Sequence, residues 1–378
     1  MAYTNPPASP MMDAVRRLYF SAPPHPIRGM VRGWWRTASV PCHLPRMDGT
    51  GRPWLDRPGR FRIIFLPGKC IPPRSLRGRV GASSPIVHSA IPMKVGLDSY
   101  CYHRFFGEVY PGQSPAAQPY TMDSFLDRAK QLGCDGVSLE SCFFPEFGAE
   151  YLTGLRRKLD DLGFDRVYAW GHPDGLEAGG SLKAKQDMLA HIEYARLIGA
   201  PVMRVVGSSL MYRFEPHQPQ LKILAEWFRE ATDLAATHGI RLAVENHIDY
   251  NSDEILWLIE QVGSEYFGIN LDTANFLRVL DDPVEATRKL AKHIYATHIK
   301  DLRPVKGVNA REWYYFSCVA AGEGLIEIDK IAQILKDTGY TGFLAFETDM
   351  PHPDYAGREE EMVEQSIAHL KRVAAGLQ

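Results

Sequence analysis

The chain of 378 residues is missing several things that would assign it quickly. No run of 18 apolar residues occurs, so no transmembrane helix is expected. Its six cysteines (Cys42, Cys70, Cys101, Cys134, Cys142, Cys318) form no CxxC pair or other metal-type spacing. A chain of this length can bury its own core without disulfides, so reduced thiols and a cytoplasmic setting are expected. Net charge is nearly absent, at a formal −2, which gives no overall pull toward nucleic acid or an anionic membrane. Acids are scarce in one place. Residues 1–92 hold thirteen Arg, one Lys and only Asp13, Asp48 and Asp56, a formal +11 that leaves −13 for the rest.

That first segment also carries 15 of the 27 prolines and no sustained helical or strand periodicity. It reads as a poorly structured, basic, Pro-rich extension. Three origins fit it: an interaction arm, a transit peptide, or non-native sequence upstream of a domain that starts at Met93. No secondary structure is assigned to it. The second unit, 93–378, begins at once with a strand, "MKVGLDSY".

From Lys94 the chain alternates short β-rich runs with amphipathic helical stretches. The runs are 94–100, 136–140, 166–171, 202–207, 241–246, 267–273, 294–301 and 343–348. Most helical stretches close on glycine (Gly133, Gly163, Gly199, Gly239, Gly263, Gly339), the residue suited to a left-handed cap. Ser252 and Asp282 stand where N-caps belong. Eight strands, each followed by a helix, make an α/β (β/α)8 barrel. A doubly wound open sheet often places a glycine-rich phosphate turn after its first strand, and "DSYCYHRFFGE" contains no GxGxxG.

Barrel chemistry gathers at the C-terminal ends of the strands. "LAVENHIDYNS" ends the fifth strand on Glu245, Asn246 and His247. The sixth ends on Asp272, with Asn275 three residues on. The seventh carries His298, Lys300 and Asp301, and the eighth Glu347 and Asp349. Across four adjacent strands this gives Glu245, Asp272, His298 and Glu347. Three carboxylates and a neutral imidazole suit one divalent cation of harder character, Mn²⁺ first, with Mg²⁺, Co²⁺ or Zn²⁺ as alternatives. Crowded carboxylates without a cation would repel one another.

Other strand ends supply candidate substrate contacts. Glu140 ends the second strand, and His172 follows the third in "AWGHPDG", where it can recognise a hydroxyl or relay a proton. His103 follows the first strand. Arg204 lies inside the fourth, where it either pairs with a site carboxylate or holds an anionic substrate group. His247 faces the substrate or supports Glu245. Lys300 either neutralises Asp301 or contacts a substrate oxygen.

"VENH", "NLDTANF", "THIKD" and "FETD" resemble the strand-end motifs of the xylose isomerase-like barrels, over residues 94–375. That superfamily includes sugar phosphate isomerases and epimerases, ketose 3-epimerases, inosose isomerases and dehydratases, and related lyases. The resemblance implies Glu245, Asp272, His298 and Glu347 as metal ligands, and Glu245 with Glu347 as an acid/base pair on opposite faces of the substrate. Ketose 3-epimerases carry a histidine shortly after the sixth-strand aspartate, and here Asn275 stands in that region. That departure leaves room for lyase or decarboxylase chemistry, while the expected activity remains isomerisation or epimerisation of a small keto-sugar or sugar acid through a metal-bound enediolate. The alternative is a lyase or decarboxylase of an oxo-sugar acid or oxo-glycoside. The expected partner is a small carbohydrate, not nucleic acid or membrane, with a homo-oligomer or partner subunit compatible. An apurinic endonuclease would need a basic DNA face, which a −13 barrel does not offer. A non-catalytic binding barrel would have no use for an acid/base pair.

Overall fold

The computed structural model describes residues 92–110, 113–172 and 174–377. The expectations for 1–91 lie outside the described residues. Ten strands are present among the described residues: β1 Lys94–Asp98, β2 Gly136–Glu140, β3 Asp165–Ala169, β4 Val202–Val206, β5 Arg241–Glu245, β6 Phe267–Asp272, β7 Ile294–His298, β8 Asp301–Pro304, β9 Phe316–Val319 and β10 Phe343–Phe346. Eight of them pair in parallel in the order β10-β1-β2-β3-β4-β5-β6-β7. The sheet closes just beyond β7. Ile299 N–H donates to the Ala345 carbonyl at 2.7 Å, and Glu347 N–H donates to the Ile299 carbonyl at 3.2 Å. The fold is the expected (β/α)8 barrel.

The outer helices are α1 Met122–Gln131, α2 Ala149–Leu162, α3 Leu182–Leu197, α4 His217–Ala236, α5 Ser252–Val262, α6 Thr273–Arg278, α7 Pro283–Leu290, α8 Ile328–Asp337 and α9 Glu359–Gly376. Their starts follow local chemistry. Thr121 and Ser124 cap α1 reciprocally, and Met122, Phe125, Leu126 and Ala129 turn its apolar stripe inward. Asp282 caps α7 as expected. The cap of α5 is Asn251, one residue before the expected Ser252, because its side chain accepts from Asp253 and Glu254 N–H while Glu254 reaches back. Gly163 and Gly263 close α2 and α5 at φ 73° and 67°, where a side chain would be strained.

Two departures from eight simple strand–helix units appear. β6 is followed by two helices, α6 and α7. β7 is followed by an antiparallel hairpin, β8–β9, before α8. Asp301, which opens the hairpin, accepts backbone N–H groups of Leu302, Gly322, Gly324 and Ile326.

The main core lies between barrel and helices. A separate small cluster of Val167, Ala296, Phe343 and Ala345, with Val202 packed on it, belongs to the barrel strands themselves. Glycine makes room for it: a Cβ at Gly96 or Gly136 would collide with the Phe343 ring. No helix of the described residues is long and apolar enough to cross a membrane. Cys101, Cys134, Cys142 and Cys318 are free thiols.

Candidate active site and metal centre

Alternate residues of a strand face the same side, so the inward set that is apolar low in the barrel continues upward as polar. Phe343 and Ala345 lead to Glu347, and Ala296 leads to His298. Ala243 leads to Glu245, and on β6 the polar character begins one step lower, with Asn270 before Asp272. These four terminal residues are all buried. Each offers one ligand atom, and these atoms lie within 4.8 Å of one another.

Their surroundings fit a cation. Glu245 Oε2, His298 Nε2 and Glu347 Oε2 are buried without a hydrogen-bond partner. Their neighbours approach to charge-pairing distance but off the hydrogen-bond line. His298 Nδ1 lies 2.9 Å from Glu347 Oε2, and Arg204 Nε lies 2.9 Å from Glu245 Oε2. Buried polar atoms left unpaired in this way are costly unless a ligand satisfies them. Three carboxylates and an imidazole form a donor set that a divalent ion satisfies.

Two buried cations pair with the carboxylates. Arg204, on β4, contacts Glu140 and Glu245 and donates from Nη1 to the Trp170 carbonyl at 3.1 Å. The pairing role, one of the two expected for it, is present. Lys300 Nζ lies 2.9 Å from Asp272 Oδ2, 2.9 Å from Glu347 Oε2 and 3.2 Å from Asp349 Oδ2. Of the two roles open for Lys300, the surface pair with Asp301 does not form, since Lys300 is buried and Asp301 serves the turn after β9.

These contacts set the protonation states. Burial pushes the Glu245 carboxyl up, but Arg204 and His298 outweigh it and hold it well below the usual range. Glu347 is likewise lowered, with Lys300 and His298 overcoming burial. Burial pushes Asp272 up to about 6 against the pull of Lys300. Glu140, buried near Asp98 and Glu245, is pushed up to about 8 although Arg204 pulls it down. An acid that titrates near neutrality at a strand end is suited to proton transfer.

The remaining candidates are spread around this centre. His247 is half-buried with an unpartnered Nδ1, and burial lowers its pKa against the pull of Glu245. The loop behind it is tight. Ile248 has φ 58°, strained for a β-branched residue, and Asp249 accepts His247 N–H at 2.9 Å. His172 stacks on Trp170 at 5.2 Å with its buried Nδ1 unpartnered. Trp170 is in turn anchored by donation from Nε1 to Asp187 at 2.8 Å. His103 is committed elsewhere: its ring nitrogens face the Glu108 and Asp349 carbonyl oxygens at 2.9 and 3.1 Å.

Sequence reasoning missed Asp98 and Arg278. Asp98 ends β1, is fully buried, and brings Oδ2 to 3.3 Å from His298 Nε2. Its place at a strand end was the available signal. Arg278, on α6, grips Asp349 with both Nη atoms at 2.5 and 2.8 Å, and no local pattern marks it. Asn275 donates to Asp272 Oδ2 at 2.9 Å, so its amide orients a strand-end carboxylate.

A family model described as xylose isomerase-like TIM barrel matches residues 126–373. The chain belongs to the xylose isomerase-like TIM barrel family. Among its relatives, an inosose dehydratase of Clostridium botulinum (strain Eklund 17B / Type B) is 23% identical over 229 residues, which is 54% of this chain and 76% of the relative. An L-ribulose-5-phosphate 3-epimerase, UlaE, of Escherichia coli O157:H7 (strain EC4115 / EHEC) is 27% identical over 195 residues. That match spans 50% of this chain and 63% of the epimerase, so it stops short of two thirds of that relative. The crystal structure of the IOLI protein with a binding zinc atom superposes with a TM-score of 0.58 at 15% identity, covering 76% of this chain and 99% of that one. That likeness bears on fold alone. It agrees with the strand order that places the four strand ends side by side.

Proposed function

We propose that this member of the family is a divalent-metal-dependent isomerase or epimerase of a small keto-sugar or sugar acid, working through an enediolate. The observation that carries the reading is the convergence of Glu245, Asp272, His298 and Glu347, from four neighbouring strands, within 4.8 Å. Held by these four, a divalent cation would supply Lewis acidity that polarises a substrate carbonyl and acidifies the adjacent C–H. Mn²⁺ is the proposed ion, with Mg²⁺, Co²⁺ or Zn²⁺ as substitutes. The zinc atom in the IOLI structure supports a divalent occupant for this kind of barrel.

The chain's own groups divide the proton work. Glu245 and Glu347 are both kept ionised by their cationic neighbours. Either can therefore take the substrate proton as base, and the other acts as acid once it has gained a proton from solvent. Reprotonation at the same carbon from the other face yields an epimer, and reprotonation at the neighbouring carbon an isomer. His172, Glu140, Arg204, His247 and Lys300 remain the proposed contacts or proton relays around the substrate. His103, with both ring nitrogens on carbonyls, holds the wall of the site. Free thiols among the described residues support a cytoplasmic setting.

A second reading, loss of a β-substituent in a dehydratase or lyase, is favoured by the inosose dehydratase relative, of which this chain covers 76%. One experiment separates the two. Keto-sugars and keto sugar acids are followed by NMR in D₂O with Mn²⁺. Deuterium at one carbon with inverted configuration supports epimerisation, and an unsaturated or shortened product supports the lyase. Absence of exchange with every keto-sugar tried would sink both.

A further inference from the structure

Arg278 takes part in none of these steps, yet its side chain is 1% exposed. A guanidinium that deep is costly unless it is fully paired. Its Nη1 donates to Asn275 Oδ1 at 3.1 Å and to Asp349 Oδ2 at 2.5 Å, and its Nη2 donates to Asp349 Oδ1 at 2.8 Å. The contacts do not end there. Asn275 Nδ2 donates to Asp272 Oδ2 at 2.9 Å, and Lys300 Nζ bridges Asp349 Oδ2 back to that same Asp272 oxygen. Asp272, Asn275, Arg278, Asp349 and Lys300 therefore form a closed ring. Lys300 also carries a branch to Glu347 Oε2 at 2.9 Å.

We propose that Arg278 is a positioning residue of the metal centre, holding Asp272 through Asn275 and Glu347 through Lys300. The inference rests on the reading of Glu245, Asp272, His298 and Glu347 as metal ligands. The planar fork explains the choice of arginine. It meets a carboxylate and an amide oxygen at once, which the point charge of a lysine does not reproduce. The same side chain ties the ring to the hairpin. Nε and Nη2 donate to the Phe316 carbonyl at 3.3 and 3.1 Å, and the guanidinium lies 5.3 Å from the Trp313 ring centroid. The β8–β9 hairpin is thus tied through Arg278 to two proposed ligands.

The test titrates the metal-stripped full chain with Mn²⁺ by calorimetry and by water-proton relaxation. Wild type, Asn275→Ala, Arg278→Lys and the double variant are compared. Loss of an outer contact to a ligand weakens metal binding by about 10- to 100-fold. Each single variant should therefore bind Mn²⁺ about 10-fold more weakly, and the double variant no more weakly than the worse single one, because both break one ring. At saturating Mn²⁺ the singles should recover most of kcat. Folded variants that bind Mn²⁺ within twofold of wild type, or losses that simply multiply, would overturn the proposal. Asn275→Ala leaves every buried charge in place, so it decides the matter if Arg278→Lys does not fold. Failure of wild type itself to bind Mn²⁺ would overturn the metal reading and this inference with it.

Discussion

The two ends of the same barrel strands are built to opposite rules. Low in the barrel, Phe343 fills the space left by Gly96 and Gly136 and packs with Val167, Val202, Ala296 and Ala345, all without charge. Two to four residues further along, Asp98, Glu140, Arg204, Glu245, Asp272, His298, Lys300 and Glu347 crowd together, also buried. The lower layer gains from dispersion and water exclusion, which follow from shape. The upper layer pairs charges whose desolvation is costly and leaves atoms of the proposed metal ligands unsatisfied. Stability and chemistry are thus separated along the strand axis, and substitutions at the two ends should fail in different ways.

The largest effect is expected at the upper end. Glu245→Gln should lower turnover by about 10³-fold in the protein that remains folded, as loss of a positioned proton carrier does. Full chelation should abolish deuterium exchange, and added Mn²⁺ should restore it. Activity that survives chelation would erase the assigned contrast. At the lower end, Phe343→Ala should cost about 3–5 kcal/mol of stability, read by denaturant unfolding. The molecules that remain folded should keep their Mn²⁺ affinity. A loss of affinity in the folded fraction would show that the two layers are not independent.

The smallest effect sharpens the border between them. Burial pushes the Asp249 carboxyl from 3.8 up to about 7, despite backbone N–H donors that pull it down. Between these values the unfolded chain releases its proton while the folded one keeps it. Stability should therefore fall as pH rises from about 4 to about 7. Asp249→Asn should flatten that fall and melt roughly 2–4 °C higher than wild type at pH 8. The gap should shrink toward pH 4. Parallel melting curves at every pH would show that Asp249 is not the group responsible.

Much of this was legible in residue order. Gly136–Glu140 and Arg241–Glu245 read as strands because apolar runs end abruptly in carboxylates. Glu245, Asp272, His298 and Glu347 stood out because one type of residue recurs at one end of successive strands. The β8–β9 hairpin was not legible: "DLRP" and "FSCV" are short and are separated by residues 305–315 without a tight-turn signature. Asn251 and Ser252 are both good caps, and only the backbone direction chooses between them. Residue order leaves Lys300 open between its neighbour Asp301 and a substrate oxygen, and its carboxylate partners Asp272, Glu347 and Asp349 cannot be read from it.

Residue order by itself determined which groups stand at the strand ends, because strand periodicity and the position of each apolar run are local properties. It determined the class of ion those groups suit, because donor chemistry belongs to the side chain. Tertiary structure alone decided who pairs with whom. Arg204 faces Glu140 and Glu245, and Arg278 reaches Asp349 across 71 positions of chain. Charge pairing depends on ångström separations between distant segments, and closing the barrel is what sets those separations.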